Sequence, residues 1–211
     1  MLDNTEYIKI FVALLAVINP MGAIPIFITL TPHEDSETRQ KIAKVSSLSA
    51  TLILLLVLFA GEGILAFFGI SINSFRVGGG ILILLMAVSM LHARLSPTVH
   101  TKEEAEEPDG KQDITVVPLS TPLLAGPGSM STVVLEAHKS SAVGHYAIIS
   151  LAIILVGACI WTALHLAPWI SQRIGKTGIN IFTRIMGLIL AAIAVEFIAN
   201  GLKGLFPALA G

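Results

Sequence analysis

Residues 18–27 read INPMGAIPIF, two prolines and a glycine inside a stretch that is otherwise almost wholly apolar. The apolar run extends to about 8–30, enough to cross a bilayer, which takes about 20 helical residues. Proline has no N–H, so Pro20 deprives the Ala16 carbonyl of its helical partner and Pro25 does the same to Met21. Asn19 is placed to cap a second helix, with Pro20 at the first helical position, where the missing N–H costs nothing. The stretch predicts a membrane helix made of two half-helices that meet near Asn19.

The rest of the chain agrees with a bilayer setting. Of 211 residues 54% are hydrophobic and 13% charged, against about 25% charged in soluble domains, and mean hydropathy is +0.83. An all-α integral membrane protein is predicted, with six spans near 8–30, 46–68, 75–95, 114–136, 146–170 and 181–206. The first comes after Asp3 and Glu6 rather than a basic segment and shows no small-residue cleavage site, so it reads as a retained span rather than a signal peptide. The only cysteine, Cys159, lies inside the fifth span and excludes an intramolecular disulfide or a Cys-based metal site. There is no His-Glu metal spacing, Ser-Lys pair or Gly-x-Ser-x-Gly, so no enzyme, metal or cofactor is expected. A net charge of −1 gives no reason to expect nucleic acid.

Lys and Arg cluster after spans one (Arg39, Lys41, Lys44), three (Arg94, Lys102, Lys111) and five (Arg173, Lys176, Arg184), nine of the thirteen in the chain. Lys9, Arg76, Lys139 and Lys203 fall on the other side. The positive-inside rule then puts both termini outside the cytoplasm. The acidic run EEAEEPDGKQD (103–113) reads as a solvated cytoplasmic linker.

A shift of 107 residues lays the chain on itself. Pro20 falls on Pro127, INSF (72–75) on INIF (179–182), Gly80 on Gly187, and Ala87-Val88 on Ala194-Val195. Each half, 1–96 and 114–211 about a linker at 97–113, then holds three spans, and an odd number forces the halves to cross the membrane in opposite senses. Such inverted repeats with interrupted helices at matching places point to a transporter with its substrate near mid-membrane. The second interruption is PLSTPLLAGPGSMS (118–131), where Gly126 takes the place of Asn19 and Ser129 that of Gly22.

Unpaired backbone groups are expensive in hydrocarbon and persist only where protein, water or a ligand satisfies them. Each break offers N–H groups at a positive helix end and loose carbonyls at a negative one. A zwitterion uses both. The candidate substrate residues are Asn19, Pro20, Met21, Gly22 and Pro25 with Gly126, Pro127, Gly128 and Ser129. The competing structural reading is that single prolines kink membrane helices and glycines allow close packing; two matched breaks at one offset weigh against it.

NPMGAIPIF (19–27) also resembles the Asn-Pro-x-Gly-x-x-Pro-x-Phe pattern of the MarC family of bacterial and archaeal inner-membrane proteins, and PLLAGPGS (122–129) is similar to its second-half motif. The resemblance spans essentially the whole chain. It implies a transporter of small neutral amino acids such as glycine, alanine or serine, driven by H+ or Na+ or acting as an exporter, in the cytoplasmic membrane. The alternatives are an aquaporin-like channel for small neutral solutes and a membrane scaffold; the Asn-Pro interrupts the first span rather than coming after the second, which favours a carrier.

Other polar residues carry two readings each. Glu196, central in span six, is a candidate proton or ion carrier, or a packing residue held by Asn200. Glu62 is positioned to pair with Arg76 at the surface. His165 sits in an aromatic belt with Trp161 and Trp169. Asn73 and Asn180 are expected to cap spans three and six, and Thr31–Glu34 (TPHE) to cap a segment running into span two. A homo-oligomer is left open by the sequence.

Overall fold

The computed structural model describes residues 2–32, 34–92 and 124–210. The linker at 97–113, the start of the fourth predicted span at 114–123, and Arg94, Lys102, Lys111, Pro118 and Pro122 lie outside the described residues. Among the described residues there are only helices: α1 (Asn4–Ile18), α2 (Pro20–Leu30), α3 (Ser36–Phe67), α4 (Ile72–Leu91), α5 (Pro127–Ala137), α6 (Val143–His165) and α7 (Ala167–Leu205), with a short 3-10 turn at Pro207–Ala210.

Five segments among them are long and apolar enough to cross a membrane: Asn4–Leu30, which contains α1 and α2, then Ser36–Phe67, Ile72–Leu91, Val143–His165 and Thr177–Leu205. Helix α5 has 11 residues, about 16 Å at 1.5 Å per residue, half the thickness of the ~30 Å hydrocarbon layer.

The helix ends correct several sequence expectations. Thr31 does not open a helix. Its N–H and its hydroxyl both donate to the Phe27 carbonyl and close α2, because Pro32 keeps the residue before it out of the helical region. Asp35 takes the capping role instead and accepts from Thr38 N–H at 2.8 Å. Ser71 rather than Asn73 caps α4, accepting from Ser74 N–H at 3.1 Å. Asn180 lies inside α7, not at its start. The fifth span ends early, at His165, because Pro168 belongs to the first turn of a new helix; α7 then bends at Gly175, whose φ of 67° is open to glycine.

Two apolar clusters hold the bundle. The larger joins α1, α2, α3, α5, α6 and the start of α7 through Leu14, Ile24, Phe27, Leu54, Val133, Ile153, Ile170 and neighbours, all buried. The smaller joins α4 and α7 through Ile83, Ala87, Leu190 and Ala194, and includes Val17 from the end of α1. Helix α2 packs on α6 and α7, α5 packs on α3 and α4, and α3 and α6 pack on each other.

The α4–α7 pair is the most extensive in the bundle, and glycines set its spacing. A Cβ on Gly80 would lie 2.8 Å from Ile198 Cγ1 and 3.0 Å from the Ala194 carbonyl oxygen. A Cβ on Gly187 would lie 3.1 Å from the Ala87 carbonyl oxygen and 3.3 Å from Leu91. With Gly201 against Asn73 and Val77, these contacts run the two helices antiparallel at backbone contact distance.

Candidate functional site at two helix breaks

Helix α1 ends and α2 begins on one residue. Asn19 adopts φ 48° and ψ 69°, the left-handed region, and is the one non-glycine residue with positive φ among the described residues. Its N–H donates to the Leu15 carbonyl at 3.0 Å and closes α1. Its Oδ1 accepts from Gly22 N–H at 3.2 Å and caps α2. Asparagine tolerates this conformation because its short amide bonds to local backbone. The cap also explains the spacing Asn-Pro-x-Gly: a Cβ at residue 22 would collide with the Asn19 amide. Past the break, the Thr29 hydroxyl donates to the Pro25 carbonyl at 2.8 Å. At the far end, Arg39 Nη2 donates to the Thr31 carbonyl at 2.9 Å and to the Glu34 carbonyl at 3.1 Å.

The second break is built differently. Gly126 is extended, φ −74° and ψ 172°, with Pro127 opening α5, and no side chain caps that helix. The hydroxyls of this stretch serve carbonyls instead. Ser129 Oγ donates to Gly126 O at 2.9 Å, Ser131 Oγ to Pro127 O at 2.8 Å and Thr132 Oγ1 to Gly128 O at 2.9 Å. Among the described residues the first-turn N–H groups at Gly128 and Ser129 carry no side-chain acceptor, and a helix N-terminus in that state favours an anion.

Helix α4 brings the two breaks together. Asn19 Nδ2 donates toward Met90 Sδ at 3.8 Å. A Cβ on Gly128 would lie 3.0 Å from Ile83, 3.4 Å from the sulfur of Met86 and 3.4 Å from Val17 of α1. Met86 and Met90 are one turn apart on α4, so both breaks rest on the same stripe of that helix. Gly79 admits Ser131 at the same contact: its Cβ would lie 2.6 Å from Ser131 Cβ. Asn19, Pro20, Gly126, Gly128 and Ser129 are buried, Met21, Gly22 and Pro25 half-buried, and Pro127 exposed.

A family model described as "MarC family integral membrane protein" matches residues 4–206. The chain belongs to the MarC family. It is 44% identical over 207 residues to the UPF0056 membrane protein BU267 of Buchnera aphidicola, covering 98% of this chain and 96% of that protein. Identity to the UPF0056 membrane protein YhcE of Escherichia coli is 41% over 207 residues, again 98% and 96%. An archaeal relative, the UPF0056 membrane protein MJ1677 of Methanocaldococcus jannaschii, is 41% identical over 205 residues, 96% and 98%. No solved structure matches the chain. Like these MarC-family relatives, it is a multi-pass integral membrane protein.

Other residues singled out from the MarC-family sequence fall elsewhere. Glu196 sits on the exposed face of α7 and accepts from Asn200 Nδ2 at 2.8 Å. Glu62 does not pair with Arg76; His138 Nδ1 lies 2.7 Å from its Oε1 and the Tyr146 hydroxyl donates to its Oε2 at 3.5 Å, because the end of α3 faces the α5–α6 turn rather than α4. His165 stacks on Trp161 with ring centroids 5.4 Å apart. Sequence reasoning missed Met86 and Met90 on α4. It also missed His145, which is fully buried between the Tyr7 hydroxyl at 3.2 Å and the Glu136 carbonyl at 2.9 Å. The carbonyl fixes a proton on Nε2, so in the neutral ring Nδ1 accepts from Tyr7. The α4 methionines had a visible i, i+4 signal; His145 had none.

Proposed function

We propose that this protein is a secondary transporter of small neutral amino acids such as glycine, alanine or serine, working by alternating access with its substrate between the two breaks. The observation that carries the reading is the unequal capping of two breaks held on one stripe of α4. Asn19 closes the N-terminus of α2 upon itself, while the N-terminus of α5 has no side-chain cap. The carboxylate of a zwitterion goes to Gly128 and Ser129 N–H, where the helix dipole adds to the hydrogen bonds. Its ammonium goes to the carbonyl end of α1, where Pro20 leaves the Ala16 carbonyl without its usual donor. No fixed countercharge is needed. The closeness of Ile83, Met86 and Val17 to Gly128 favours a substrate with a small side chain.

The contacts support an inverted repeat at the offset of 107. Under that shift α2 corresponds to α5, α3 to α6 and α4 to α7. The packing of α2 on α6 and α7 then corresponds to that of α5 on α3 and α4. At residue level, Gly80 against Ala194 and Ile198 corresponds to Gly187 against Ala87 and Leu91. Carriers of this kind rock one repeat against the other around a fixed site. The charge asymmetry supports a cytoplasmic-membrane location with both termini outside.

The test is exchange of labelled alanine and glycine by purified protein in liposomes, under imposed pH and sodium gradients of both signs. Saturable exchange competed by serine is expected. Absence of flux, binding heat and thermal protection with every small amino acid overturns the zwitterion reading, and fast unsaturable flux replaces the carrier by a channel.

A further inference from the structure

Helix α7 places a carboxylate where the bilayer is least tolerant of one. The glycine contacts fix its depth: Gly80 meets Ala194 and Ile198, which sets Glu196 level with the middle of the 20-residue helix α4. The side chain nevertheless points away from the bundle. Within about three turns of it on α7 lie the exposed Ile185, Leu188, Ile189 and Val195, residues suited to lipid. Ionisable groups at this depth almost always face protein or a water-filled cavity, because hydrocarbon offers them no hydrogen bonds.

We infer that the Glu196 face of α7 is the contact between two copies of this chain. In a membrane both copies share one orientation, so a two-fold axis along the bilayer normal sets α7 beside α7 in parallel, each residue meeting its own equivalent at its own depth. Ile185, Ile189, Ala192, Glu196, Ala199 and Lys203 keep the alternating spacing of four and three that makes a parallel helix seam. Glu196 falls at its centre.

The polar pair is self-complementary. Within one chain Asn200 Nδ2 spends one N–H on Glu196 Oε1. Its second N–H and the other carboxylate oxygen are left for the second copy, so the axis generates the same hydrogen bond twice. Alanines at 192 and 199 bracket Glu196 and let the backbones approach closely enough for it. Lys203, a further turn along, reaches the membrane surface and stays solvated. One polar position in an apolar seam also fixes register, since a slip strands the carboxylate against isoleucine.

The experiment uses the full chain in native membranes and then in liposomes. In a Cys159→Ser background, Ala192→Cys is expected to give disulfide-linked dimers on mild oxidation, since the bond needs Cα atoms about 4.4–6.8 Å apart. Leu82→Cys, on the exposed face of α4, serves as the control and is expected to give none. In liposomes of graded protein density, subunit co-localisation should show the dimer weakened about tenfold by Glu196→Leu, the size of the two symmetry-related interhelical hydrogen bonds together. Glu196→Gln, which keeps one acceptor oxygen and turns the other into a donor, should weaken the dimer less than Glu196→Leu does. Cross-linking at 192 no stronger than at 82, a single chain at all densities, or a dimer indifferent to Glu196→Leu overturns the inference.

Discussion

Replacing Asn19 by alanine and by glycine separates the two things that residue does. Alanine removes the cap on Gly22 N–H, worth about 1 kcal/mol, and must also hold φ 48° and ψ 69°, which costs a Cβ-bearing residue about 1–2 kcal/mol. Glycine removes the same amide but accepts the left-handed region freely. The expected losses are about 2–3 kcal/mol for Asn19→Ala and about 1 kcal/mol or less for Asn19→Gly. A companion change inverts sign with background. Gly22→Ala destabilises the wild type, because its Cβ displaces the Asn19 amide, yet in Asn19→Gly it meets no such amide and gains about 0.5–1 kcal/mol of helix propensity. Thermal unfolding in detergent, monitored by labelling of the single thiol Cys159, reads the wild type, Asn19→Gly, Gly22→Ala and their combination as a double-mutant cycle, with Asn19→Ala beside them. Equal losses for alanine and glycine at 19, or additive behaviour with Gly22→Ala, refute the claim that Asn19 is chosen for conformation and capping together.

Three further outcomes are tied to particular contacts. His145→Phe keeps a ring but strips the Tyr7 hydroxyl of its partner and the Glu136 carbonyl of one of its two donors; a loss of about 1–3 kcal/mol is expected in the same melt, with Tyr7→Phe costing less. Gly80→Ala forces α4 from the α7 backbone and should cost about 1–3 kcal/mol, whereas Gly63→Ala, which meets nothing within 4 Å, should stabilise by about 0.5–1 kcal/mol. The Thr38 hydroxyl and N–H hold the Asp35 carboxyl below its ordinary range, so its cap on α3 is fully formed above the unfolded value and fades as pH falls below about 4. Hydrogen exchange in the first turn of α3 should show that acid limb in the wild type and lack it in Asp35→Asn.

What was legible in the sequence was what the covalent chain decides locally. Pro20, Pro25 and Pro127 interrupt hydrogen bonding whatever surrounds them, so the breaks stood out in the residue order, and the glycine at 22 answers to an asparagine three residues away. Ala87 and Ala194, common residues in an apolar stretch, gained meaning only beside Gly187 and Gly80. The partners of Glu62 could not be read, since His138 and Tyr146 lie 76 and 84 residues away and Arg76, nearer in sequence, belongs to a helix facing elsewhere. Asn73 lost the cap of α4 to Ser71 because serine two residues earlier already bonds the first turn, and Asn73 packs against Gly204 instead.

The difference between the two breaks bears directly on the proposed zwitterion site. Asn19 and Gly126 occupy equivalent places at the offset of 107, yet Asn19 satisfies the helix it opens and Gly126 does not. Two identical breaks would present the same groups from both sides, which suits a neutral or symmetric solute; a zwitterion needs one end rich in donors and the other in acceptors. Gly126→Asn tests whether that asymmetry is what the substrate uses. The backbone at 126 is already in the extended region typical of an N-cap, so an asparagine amide there accepts from the first turn of α5 and repeats the arrangement at Asn19. Because glycine is itself a tolerated N-cap, the amide should add only a few tenths of a kcal/mol of stability, about 0.3 kcal/mol. It should also weaken alanine or glycine binding about twofold, because the carboxylate must then displace it. A protein that is stabilised and binds as tightly as before would show that the amides of α5 do not hold the carboxylate.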